Sequence, residues 1–272
     1  MYFDSHAHLG EDCFAQDFVH IVENMRTAGV SGMMEIGFDG PSSYHAGELA
    51  NRYDWIWAAV GSHPDDAAQV DEARIEEYRA LCEDPRVKAI GEIGLDYHMD
   101  YDDDIAPAPH SVQIDCMARQ LEVAVRRNVP VELHLRHEDS DGERTSHMDA
   151  YNVLREVGVP QAGCVLHCFG EDRATMERFV GLGCYIAYGG AATFKRNDDV
   201  REAFAATPLD RILFETDCPY MAPEPNRGKR NDSSQLIYVA QKLAEIKGIT
   251  AEEVKQATTE NAHRLYWLTQ NK

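Results

Sequence analysis

Apolar residues recur along the chain in two alternating rhythms. Short unbroken runs give way to longer stretches in which they return at every third or fourth position. The short runs read as buried strands: Tyr2 and the residues after it, then 33–38, 55–61, 87–94, 131–135, 163–167, 184–188 and 212–217. Helical spacing covers 14–28, where Phe14, Phe18, Ile21, Val22 and Met25 share a face and Gly29 offers a C-cap. It returns at 42–53, 72–83, 112–127, 148–157, 173–182 and 200–206. The tail carries three further helical stretches near 234–247, 251–258 and 261–268. Strands separated by helices indicate parallel βαβ units, and eight of them predict a single (β/α)₈ barrel with a C-terminal helical extension. No linker or repeat divides the chain, so residues 1–272 read as one domain. Two polar insertions, 100–111 and 138–147, follow strand ends and are expected over the barrel's C-terminal face. They are either solvated loops or walls of a site.

Composition narrows the picture. The chain is 44% apolar, enough for a substantial core. Lys and Arg number 26 against 47 Asp and Glu, a net charge of −21 that argues against coating a polyanion. It leaves room for a processing enzyme, because bound cations reverse the sign inside a cleft. The seven cysteines form no Cys-x-x-Cys pair, so neither a disulfide framework nor a zinc knuckle is expected. With no secretory leader and no run of membrane-spanning length, the expectation is a reduced, cytoplasmic protein.

Ionisable residues gather at the strand ends. His6 and His8 close the first strand, two apart and therefore on one face. A lone His-x-His is more often a packed pair than a metal grip. Here other strand ends answer it: His63 after the third, Glu92 and Asp96 on the fourth, His134 on the fifth, His167 on the sixth and Asp217 on the eighth. In a parallel barrel these ends meet at one face. Four imidazoles and two carboxylates are an inventory for two divalent cations, Zn²⁺, Mg²⁺ or Mn²⁺, with Glu92 as the natural bridge. Such a pair can activate a water and stabilise a leaving oxygen, with Asp217 as ligand and proton acceptor.

The motifs resemble those of the TatD-like metal-dependent deoxyribonucleases, within the wider amidohydrolase-type barrels. They are Asp4-Ser-His-Ala-His-Leu9, Gly61-Ser-His-Pro64, Gly91-Glu-Ile-Gly-Leu-Asp-Tyr97, Leu133-His-Leu-Arg136, Leu166-His-Cys-Phe-Gly170 and Glu215-Thr-Asp-Cys-Pro-Tyr220. Gly228-Lys-Arg-Asn231 and Thr258-Thr-Glu-Asn261 extend the similarity over nearly the whole chain. The resemblance implies one metal on His6, His8, Glu92 and Asp217, and a second on Glu92, His134 and His167. It makes Glu92 and Asp217 the catalytic carboxylates and His63 a phosphate or water contact. Arg136, Arg227, Lys229 and Arg230 are the further candidates for holding phosphate oxygens. Three features depart from the family pattern. The loops after Tyr97 and after Arg136 are longer than usual, and Asp232-Ser233 replaces Glu-Pro after Asn231.

The first expectation is therefore a phosphodiesterase acting transiently on DNA, from an end or on single-stranded tracts, with no membrane and no obligate protein partner. An alternative keeps the metals and changes the bond to a small phosphoester, lactone or amide, since fold alone does not fix a substrate. A non-catalytic metal-binding partner protein is a third reading, and the complete ligand set counts against it.

Overall fold

The computed structural model describes residues 1–98 and 107–268; most of the first insertion, 100–106, lies outside them. Eight strands form one parallel sheet in sequence order: β1 (Tyr2–Ala7), β2 (Val30–Ile36), β3 (Ile56–Val60), β4 (Val87–Asp96), β5 (Val131–Arg136), β6 (Cys164–Leu166), β7 (Tyr185–Tyr188) and β8 (Ile212–Phe214). The sheet curls back on itself. Ala7 bridges to Cys218, His8 N–H donates to Cys218 O at 2.8 Å, and Asp217 N–H donates to His6 O at 2.9 Å. Buried Asp4 seals the same seam by accepting from Thr216 N–H at 2.9 Å and from the Thr216 hydroxyl.

Helices α1 (Phe18–Thr27), α2 (Gly40–Arg52), α3 (Glu72–Leu81), α4 (His110–Arg127), α5 (Thr145–Val157), α6 (Arg173–Gly181), α7 (Asp198–Ala206) and α8 (Leu236–Lys247) follow the strands in turn. Their apolar stripes meet the outward strand positions, such as Ile56, Ala58 and Val60 or Val131 and Leu133, in one continuous core. The helix α9 (Ala251–Leu265) joins a separate core with lumen-facing Phe3, Met34, Ala59, Val165, Tyr185 and Leu213. Its Leu265 and Tyr266, with Leu268, plug the barrel from the N-terminal end of the strands.

Two expectations about the helices change. Phe14 belongs to a 3-10 turn, Asp12–Phe14, residues 15–17 form a turn, and α1 starts only at Phe18. Arg230 holds Asp17 by its carboxylate and reaches Cys13 O at 2.5 Å, which fixes this segment outside the helix. The last two tail stretches are one helix. Asn261, where a break was expected, sends its amide to Leu209 O (2.9 Å) and Ile212 O (2.8 Å), so its side chain does not compete with the helix backbone. Among the described residues, no helix is long and apolar enough to cross a membrane.

Candidate metal centre

Strand periodicity builds the centre. Glu132 and His134, Val165 and His167, and Leu213 and Glu215 are successive lumen-facing pairs, apolar or acidic below and functional above. On β1 the register shifts between Asp4 and Ala7, which lets Phe3 and His6 serve the lumen although they are three apart. On β4 the register breaks between Ile90 and Ile93, around Glu92. The glycines of Gly91-Glu-Ile-Gly94 permit this. A Cβ on Gly94 (φ +150°) would lie 1.9 Å from His134 O, and one on Gly91 (φ +157°) 2.5 Å from Glu132 Cβ.

Six of the expected residues converge. Glu92 Oε1 lies 2.8 Å from His134 Nδ1 and 2.7 Å from His167 Nε2. Its Oε2 lies 3.5 Å from His6 Nε2 and 3.7 Å from His8 Nε2. Asp217 Oδ1 stands 3.5 Å from His8 Nε2 and 3.9 Å from His6 Nε2. The His6 and His8 Nε2 atoms are 3.2 Å apart, and the His6 ring stacks on His167 at 3.8 Å. Asp217 adopts a left-handed backbone (φ 55°), as does Cys168 beside His167 (φ 46°), a costly conformation that its surroundings must hold. For Asp217 they do so through buried Asn231, whose amide donates to Thr216 O at 2.9 Å and Tyr220 O at 2.8 Å. That is what the Asn of Gly228-Lys-Arg-Asn231 does, and the missing proline after it leaves these bonds in place.

Burial alone would raise Glu92, yet His167 and His6 hold it well below the usual carboxylate range. Asp217 is also lowered against its burial, by His8 and His167. Burial disfavours charge on His134, but Asp96 and Glu92 outweigh it and carry the ring to about 10. His167 falls to about 4, through burial and the neighbouring His6. Both carboxylates are thus ionised, and His167 is neutral with a lone pair to give.

The sequence reading passed over buried Glu132, Glu215 and Glu35 as members of the site, and gave Asp96 a strand end without a role. Glu132 Oε2 faces His6 Nδ1 and Glu215 Oε2 faces His167 Nδ1, each at 4.0 Å, and none of these four atoms has a hydrogen-bond partner. Asp96 Oδ2 approaches His134 Nε2 at 3.1 Å, and Glu35 accepts from Leu9 and Gly10 N–H at 2.9 and 2.8 Å. The signal was the two-residue period: Glu132 precedes His134, and Glu215 precedes Asp217, by one strand repeat. The donor set fits divalent cations. Metal-bound imidazoles turn their other N–H to a carboxylate, the place that Glu132 and Glu215 occupy. No Lys or Arg is among the buried described residues to balance these acids.

The centre floors a cleft of about 640 Å³. Of the other expected contacts, His63 and Arg136 line it; the His63 ring sits 4.2 Å from His134 and its Nδ1 is 3.1 Å from Asp65 Oδ2. Arg227, Lys229 and Arg230 lie outside it. Arg227 covers the Phe194 ring, Lys229 donates to Asn226 and Arg230 is tied to Asp17. Arg136 is therefore the one cationic Lys or Arg among the cleft's described lining residues, facing Glu11, Asp65, Asp66, Glu92, Asp96 and Asp217.

Comparison with known proteins agrees with this architecture. Residues 3–267 match the family of TatD related DNases. The chain belongs to that family. A metal-dependent hydrolase of Bacillus subtilis, YabD, is 36% identical over 266 residues, covering 98% of this chain and 99% of YabD. A TatD from Erwinia tasmaniensis, named a 3'-5' ssDNA/RNA exonuclease, is 31% identical and covers 97% of this chain and 99% of its own. The crystal structure of the Escherichia coli TatD homologue YJJV superposes with a TM-score of 0.87 at 29% identity, over 98% of both chains. This TatD-family chain is thus a (β/α)₈ barrel related to metal-dependent hydrolases along its whole length.

Proposed function

We propose that the protein hydrolyses phosphodiester bonds of single-stranded DNA from an end, using two divalent cations held on the histidine–carboxylate cluster. One observation carries the reading: Glu92 offers Oε1 to His134 and His167, and Oε2 to His6 and His8. His6, His8, Glu92 and Asp217 would hold one cation, and Glu92, His134 and His167 the other. Residues of this cluster would hold Zn²⁺, Mg²⁺ or Mn²⁺, which when bound would polarise the phosphoryl group, lower the pKa of a water and stabilise the leaving oxygen. Asp217, ionised and open to the cleft, accepts the proton from the attacking water. Arg136 and His63 contact phosphate oxygens at the rim. Phe38 and half-exposed Tyr220 flank His8 and offer ring faces to unpaired bases. Arg227 and Lys229 meet the strand further out, and Arg230 joins them by releasing Asp17. The family, and the exonuclease name of the Erwinia tasmaniensis relative, support nucleic acid as substrate. The seven free thiols suit a reducing cytoplasm.

A second reading, a small phosphoester, lactone or amide substrate, is favoured by the single arginine among six cleft carboxylates. A time course on end-labelled single- and double-stranded DNA, with and without chelator, separates the two. Stepwise, metal-dependent shortening that drops about 10²–10⁴-fold in Asp217→Asn supports the nuclease. Intact DNA, alongside small esters hydrolysed with the same metal and Asp217 dependence, moves the assignment to the second reading.

A further inference from the structure

A second donor cluster stands beside the cleft, and nothing in the proposed hydrolysis uses it. His137 follows β5, His147 lies in the first turn of α5, and Glu171 lies between β6 and α6. The two histidines bracket the polar insertion that departs from the family pattern. One ligand atom from each residue falls within 4.8 Å of the others. Glu171 Oε1 is 3.1 Å from His137 Nδ1 and 3.8 Å from His147 Nε2. The longer separation is beyond hydrogen-bond reach. Two donors sharing a tetrahedral ion at zinc–ligand lengths stand roughly 3.4 Å apart, and the two distances straddle that value. The His6, His8 and Glu92 donors show a similar spread, 3.2 to 3.7 Å.

The atoms behind two of these donors, on His147 and Glu171, are already occupied. Ser146 Oγ lies 3.3 Å from His147 Nδ1, in reach to accept the ring N–H in the tautomer whose Nε2 lone pair faces Glu171, the one a cation would select. Arg144 Nε donates to Glu171 Oε2 at 2.5 Å, which turns Oε1 to the two imidazoles, and its other end reaches Asp172 at 3.2 Å. Glu171 and Asp172 against Arg144 leave one negative charge for a cation. His147 is 2% and Glu171 9% exposed, so both are committed to this point rather than to solvent.

We propose that His137, His147 and Glu171 form a separate divalent-cation site that clasps the 137–147 loop to the β6–α6 connection at the rim of the cleft. Two imidazoles and one carboxylate select Zn²⁺ or another late first-row ion over Mg²⁺. The site's work is positional: it fixes the loop that begins next to Arg136, the cationic residue of the cleft.

Zn²⁺ stoichiometry of the metal-stripped, reloaded protein, measured by elemental analysis, tests the site, with cleavage of the 138–144 loop by a protease as a second readout. His137→Ala is expected to bind one equivalent fewer than the parent and to lose Zn²⁺ protection of the loop. Glu171→Gln, which keeps the shape and a hydrogen-bond acceptor, is expected to do the same. Glu92→Gln is expected to keep that equivalent and that protection while losing metal from the main centre, so failure of the main-centre reading shows separately. Equal Zn²⁺ equivalents in parent, His137→Ala and Glu171→Gln overturn the proposal, as does Zn²⁺ protection of the loop that survives in both variants.

Discussion

Glu35 shows what burial does to one carboxyl at the edge of the centre. It sits at the end of β2 with both oxygens turned to the Leu9 and Gly10 amides, and burial pushes it up to about 7 from the ordinary 4.5. The folded value lies above the unfolded one, so the native metal-free protein holds this proton more tightly between the two. The stabilisation is complete below about pH 4.5 and is lost as pH rises through about 7. A shift of this size corresponds to roughly 3 kcal/mol. Urea unfolding of the metal-free parent and of Glu35→Gln at pH 5 and pH 8 isolates the contribution. The variant should shed most of the parent's loss over that interval; identical pH slopes would remove Glu35 as the cause. The six residues that converge at the centre were legible because they are polar positions at apolar strand ends. Glu132 and Glu215 were not, since an acid inside an apolar run looks like an outward-facing residue until the lumen side is known.

Elements were legible where their apolar period was strong and unopposed. Each of the eight strands overlaps the run that placed it, because strands buried on both faces are rich in apolar residues, although β2 begins at Val30 rather than 33 and β8 ends at Phe214 rather than 217. Helix ends depended on distant partners that no local pattern contains, Arg230 for the start of α1 and the Leu209 and Ile212 carbonyls for the continuity of α9. The β4–β5 pair makes the strongest element-level prediction. At Gly94 a methyl group would fall 1.9 Å from the His134 carbonyl, which is backbone and cannot rotate away. Gly94→Ala should cost at least about 1–3 kcal/mol of stability and displace His134, weakening metal binding with it. Denaturant midpoints read the first effect and Zn²⁺ titration the second; a variant matching the parent in both would contradict the packing argument. The cap of α9 supplies a smaller, independent test. Thr250 accepts from Glu253 N–H at 3.1 Å while Glu253 returns a bond to Thr250 N–H at 2.8 Å. Thr250→Ala should therefore lower stability by about 1 kcal/mol and leave activity unchanged, whereas a loss of activity at parental stability would mean that α9 does more than plug the barrel.

At the scale of the whole molecule the governing quantity is unbalanced negative charge. The chain carries −21, and Asp4, Glu35, Glu92, Asp96, Glu132 and Glu215 are buried with imidazoles and neutral donors around them, Arg136 reaching Asp96 alone at 3.9 Å. Carboxyls in that position either take up protons, as Asp4 and Glu35 do at about 6 and about 7, or wait for a cation. Divalent ions bound on the centre would relieve that imbalance directly, and should then act on stability as well as on catalysis. An ion present at a hundred times its Kd adds about 2.7 kcal/mol to a fold that binds it only when native. For a chain of this size each kcal/mol moves Tm by roughly 2–4 °C. Removing metal with a chelator should then lower Tm by about 5–10 °C, and restoring Zn²⁺ or Mn²⁺ should recover it. Glu92→Gln should abolish most of that difference, because it takes away the residue both groups of imidazoles share. Scanning calorimetry of the parent and the variant, each with and without chelator, decides the matter. An unchanged parental Tm would mean that the buried acids are neutralised by protons and histidines alone, and the centre would then have to be assembled by substrate rather than by metal.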